Sequence, residues 1–70
     1  MKVYFKNSKG NEILIGEAED GNRAFKIIEK FCHERNFKIY YTRAWTDPDN
    51  NNRKIYDVGD HFSFFIVDRG

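Results

Sequence analysis

Apolar side chains cluster first at Val3 to Phe5 and again at Ile13 to Ile15, two short β-prone runs separated by Asn7-Ser8-Lys9-Gly10-Asn11. That linker is rich in turn formers, and Gly10 accepts a positive φ at little steric cost, so the two runs read as a hairpin. From Ala24 the period lengthens. Ala24, Phe25, Ile28, Phe31 and Cys32 recur at helical spacing, while Arg23, Lys26, Glu29, Lys30, His33 and Glu34 fill much of the remaining circumference. Asp20 or Asn22 supplies the N-cap. Asn36 is the expected stop, because asparagine tolerates the left-handed conformation and leaves Phe37 placed for the apolar contact that accompanies such a cap. The expected helix is amphipathic and covers one face of a sheet.

Alternation returns after the helix. Phe37 to Thr46 carries Phe37, Ile39, Tyr41 and Trp45 on one parity, which predicts a strand, with Arg43 interrupting that parity. Arg53 to Asp68 is β-prone as well, but contains Asp57-Val58-Gly59-Asp60. Read as one long strand bulged near Gly59, it gives the order ββαββ, the expected arrangement. A tight turn at Gly59-Asp60 gives ββαβββ, the alternative. In both, the fold class is α+β: a small antiparallel or mixed sheet with one helix packed on one face.

One helix covers one sheet face, yet aromatic residues occur at both parities, as in Tyr4 beside Phe5 and Tyr40 beside Tyr41. The uncovered face is the expected partner surface. Tyr40, Trp45 and Tyr56 would supply its apolar contacts, and Arg43 and Arg53 would pair with acidic groups at its rim. A homodimer or another protein is the expected occupant, since a second copy covers the face without adding an element to this chain.

Length and charge narrow the reading. Seventy residues hold one domain, 1–70. With 12 basic and 11 acidic residues the net charge is +1, far from the bias of a general phosphate-backbone binder. Single-stranded nucleic acid is therefore the alternative partner, with bases stacked on Trp45, Tyr40 and Tyr56 and phosphates met by Arg43, Arg53 and Lys54. Asp47, Asp49, Asp57 and Asp60 lie in the same stretch and oppose it. Apolar runs as short as Phe64 to Val67 predict no membrane span, and the N-terminal stretch lacks the apolar centre of a secretory signal, so a cytoplasmic location is expected.

The chemistry-bearing residues assemble no catalytic set. Cys32 is the only cysteine, which excludes an internal disulfide, and it falls beside the apolar stripe as a small buried hydrophobe. Asp47, Asp49 and Asn51 have the alternating oxygen spacing that begins a calcium loop. Asn52 and Val58, however, stand where such a loop needs glycine and glutamate, so an Asx-rich surface turn is expected. Asp57, Asp60 and His61 form a second cluster, and a metal-dependent hydrolase built on them is the lowest-ranked alternative. Neither a cofactor nor an enzymatic activity is expected.

Overall fold

A computed structural model describes residues 1–59 and 64–70 of the chain. Its elements run β1 (Lys2–Lys6), β2 (Glu12–Glu17), α1 (Gly21–Glu34), β3 (Arg43–Asp47), β4 (Asn50–Asp57) and β5 (Phe64–Asp68). The strands form one five-stranded sheet in the order β2-β1-β5-β4-β3, and every neighbouring pair is antiparallel. The α+β class holds, and the element order is ββαβββ. The single long strand bulged near Gly59 is corrected: β4 and β5 are separate strands paired antiparallel, Arg53 opposite Asp68 and Tyr56 opposite Phe65. Of the Gly59-Asp60 turn, only Gly59, at φ 74°, lies within the described residues.

Local chemistry sets the helix ends. Asp20 is the N-cap, its Oδ1 accepting from the Arg23 N–H at 2.8 Å, which satisfies one of the donors a helix start leaves open. At the other end Asn36 sits at φ 57°, Phe37 N–H donates to Cys32 O at 2.8 Å and Asn36 N–H to His33 O at 3.2 Å. This is the paired hydrogen-bond arrangement of a Schellman cap. The expected apolar contact is present too, with the Phe37 ring 6.4 Å from that of Phe31.

The helix packs on β2, β1 and β5. Val3, Ala24, Ile28, Phe31, Cys32, Val58, Phe65 and Val67 form the buried core, and Phe5 bridges to the rings of Phe31 and Phe65 at 4.8 and 5.4 Å. Tilted and edge-on rings at these separations are favourable beyond their burial. Gly16 lets β2 approach the helix closely, since a Cβ there would lie 3.1 Å from Ile27.

The predicted strand from Phe37 to Thr46 is shortened to β3, beginning at Arg43. The helix cap draws Phe37 back onto the core, and the N–H groups of Tyr40 and Tyr41 both turn to Val58 O, at 3.2 and 3.4 Å. Those donors are thereby spent outside a ladder, whatever the β propensity of their side chains.

Candidate functional site: the uncovered sheet face

Register assigns each strand residue to a face, because directly opposed residues of an antiparallel pair point the same way. Val3, Phe5, Tyr56, Phe65 and Val67 face the helix, so their sequence neighbours lie on the opposite face. That face is built from three rows crossing the strands. The middle row is apolar: Leu14, Tyr4, Ile66, Ile55 and Trp45, one residue from each strand from β2 to β3. One flanking row runs Glu17, Lys2, Asp68, Arg53, and the other contains Glu12, Lys6 and Phe64, then Asp57 and Arg43. Charges alternate in sign along both. Among the described strand residues the face carries Lys2, Lys6, Arg43 and Arg53 against Glu12, Glu17, Asp47, Asp57 and Asp68, a net charge of −1.

Arg53 covers part of the apolar row. Its guanidinium crosses β5 and β1 to reach β2, Nη1 and Nη2 both donating to the Glu12 carboxylate, and Nε lies 3.6 Å from Asp68 Oδ2. The sheet's twist permits this reach by drawing diagonal corners of the face together. On the way the guanidinium passes 5.7 Å from the centre of the Tyr4 ring. The hydrogen bond to Glu12 raises the Arg53 pKa above the ordinary arginine value, against the opposing effect of burial. Ile66, on the face without a helix, is consequently only 3% exposed.

What stays open lies at the two ends of the row, at Leu14 on β2, 52% exposed, and toward β3. Trp45, 39% exposed, meets Phe64 edge-on with ring centroids 6.2 Å apart. The two rings wall a pocket of about 170 Å³, with Ile55 and Ile66 also lining it and Lys6, Glu12, Asp47 and Arg53 contributing charged groups. Arg43 extends the aromatic surface, its guanidinium carbon 5.4 Å from the Tyr41 ring centre and 6.0 Å from that of Trp45. Asp57 holds it there: Arg43 Nη2 donates to Asp57 Oδ2 at 2.9 Å, Tyr41 Oη donates to the same oxygen at 3.3 Å, and Gly59 N–H donates to Oδ1 at 2.9 Å. The Arg43 hydrogen bond leads in holding the Asp57 carboxyl below its ordinary range; burial opposes it, and the Gly59 and Tyr41 bonds assist.

The residues expected to form one surface fall on two. Trp45, Arg43 and Arg53 lie on the uncovered face, whereas Tyr56 faces the helix with its ring 5.9 Å from Phe25, and Lys54 stands 5.7 Å from the Tyr56 ring. Tyr40 is 67% exposed in the connection before β3. Tyr41, Phe64 and Leu14 join the open surface without having been singled out. The signal for Phe64 and Leu14 was parity with Ile66, readable only once the register is fixed.

The acidic turn serves its own backbone. Asp47 Oδ1 accepts from Asp49 N–H at 2.8 Å, Asn50 Oδ1 accepts from Asn52 N–H at 3.0 Å, and the Asn51 carbonyl accepts from Arg69. Among the described residues no group of three or more His, Cys, Asp or Glu is placed to hold a metal ion. Asp57 is engaged as above, while Asp60 and His61, the other members of the second cluster, lie outside the described residues. Among the described residues no helix is long and apolar enough to cross a membrane. No protein-family model, curated protein or solved structure matches the chain.

Proposed function

We propose that this chain is a non-enzymatic interaction module whose uncovered sheet face binds a protein. The pocket between Trp45 and Phe64 carries the reading. At about 170 Å³ it is smaller than the roughly 300–1,000 Å³ of sites that enclose a whole small ligand, but it is of a size to take one apolar side chain. Protein interfaces concentrate their energy in such insertions, with Trp and Arg over-represented around them. Both arginines on the face are already paired with carboxylates, Lys54 and Tyr56 face the other way, and the carboxylates of the face outnumber its cations, which disfavours the nucleic-acid alternative because phosphate binding draws its affinity from excess positive charge.

The test compares wild type with Trp45→Ala and Phe64→Ala, each checked for folding by thermal melting. Proteins retained by immobilised chain are identified by mass spectrometry, and each is re-measured as a purified pair. A saturable protein complex weakened at least about tenfold by either truncation supports the reading. Equal affinity in all three chains rejects it, as does saturable binding of a labelled single-stranded oligonucleotide at physiological salt without any protein complex.

A further inference from the structure

Resting on the reading of this face as a protein-binding surface, we infer that its occupant is a second copy of the same chain, packed face to face about a twofold axis running close to β5. The face carries both halves of a contact. Leu14, 52% exposed on β2, and Trp45, which walls the pocket from β3, stand at opposite ends of the apolar middle row. A twofold axis along the central strand exchanges those ends. Each Leu14 then enters the pocket beside the partner subunit's Trp45, and the two identical insertions close the assembly at a dimer, as an isologous interface requires.

The charges obey the same operation. Turned about β5, the row of Glu12, Lys6, Phe64, Asp57 and Arg43 lays Glu12 over the partner's Arg43 and Lys6 over the partner's Asp57, so each sign meets its opposite. The row of Glu17, Lys2, Asp68 and Arg53 is matched about an axis half a strand away, between β1 and β5, which pairs Lys2 with the partner's Asp68. Packed sheets cross at roughly 30°, so one inclined axis serves both rows. Lys2 and Lys6 make no ion pair among the described residues and bring uncommitted charge to these contacts. A face of one sign would repel its own copy; this alternation attracts it.

The area is sufficient. A standard interface takes about 800 Å² from each partner. That is about a sixth of this chain's 4862 Å², the share that one side of a block measuring 29 × 24 × 20 Å presents.

Sedimentation velocity on the full chain from micromolar to millimolar concentration reads the association, and two variants read its geometry. Leu14→Asp removes the inserted side chain and leaves the pocket, while Trp45→Ala does the reverse. Each should weaken self-association at least about tenfold. Mixed together, they retain one intact insertion per heterodimer, so energy transfer between differently labelled variants should show the mixed pair forming more tightly than either variant with itself. Thermal melting checks folding, and Leu14→Gln replaces Leu14→Asp if the latter melts early. A wild type that stays monomeric at millimolar concentration overturns the second-copy inference. So do variants that dimerise like wild type, or a mixture without heterodimer preference. If the monomeric chain still binds a different protein in a Trp45-dependent manner, the binding face stands and only the identity of its occupant falls.

Discussion

At the scale of single residues, Gly59 and Asp57 fix the end of β4 where Arg43 and Tyr41 are held. Gly59 is constrained twice: its φ is 74°, and an added Cβ would fall 2.1 Å from Tyr41 Cε2. Gly59→Ala should therefore cost about 2 kcal/mol or more by urea denaturation, about 1 of it from the left-handed backbone. In a Tyr41→Ala background the steric part disappears and the same substitution should cost only the backbone share, a coupling that a double-mutant cycle measures. For Asp57, the folded-state pKa lies below the unfolded value, chiefly through the Arg43 hydrogen bond. Its contribution is complete above the ordinary carboxylate pKa of about 3.9 and is lost as pH falls through the lower folded value. The stability gap between wild type and Asp57→Asn should accordingly be flat from pH 7 to about 5 and narrow toward pH 2.5; a gap that widens on acidification contradicts the assignment.

Individual elements were legible where their signals are local. The helix and both caps follow from side chains within one turn of each end, Asp20 at the start and Asn36 with Phe37 at the finish. The prediction at this scale is that Asn36→Ala destabilises by about 1 kcal/mol, since alanine lacks asparagine's tolerance of φ 57°, whereas Asn36→Gly is neutral or mildly stabilising by thermal melting. Phe37 to Thr42 was misread for the complementary reason. Its aromatic alternation resembles a strand, but the helix cap at one end and Val58 O at the other claim its backbone. Neither tether is visible in a window of ten residues. The end of β4 was ambiguous in the same way: a bulge and a hairpin both account for the change of apolar parity, and pairing with β5 decides between them.

For the whole molecule, the sequence supports the imbalance of one helix against two sheet faces, but not how the chain treats the uncovered one. Arg53 and Glu12 are 41 positions apart, and their contact depends on β5 and β1 lying between them in the sheet, an order that no local pattern encodes. Arg53 was read from sequence as a cation at the rim of a partner surface. It is instead a tie across the face, 19% exposed in its side chain, with Glu12 32% and Asp68 28% exposed beside it. Such a pair falls between a surface ion pair, worth under about 1 kcal/mol, and a buried one, whose breakage costs about 3–5. Arg53→Ala should thus destabilise by about 1–3 kcal/mol and increase binding of a hydrophobic dye, because Tyr4 and Ile66 lose their cover. Arg53→Met separates the two contributions: it retains an apolar stem over those residues without the charge, and should lose stability while leaving dye binding near wild type. If both variants bind dye equally, the guanidinium's tie to Glu12, rather than the stem, holds the face closed.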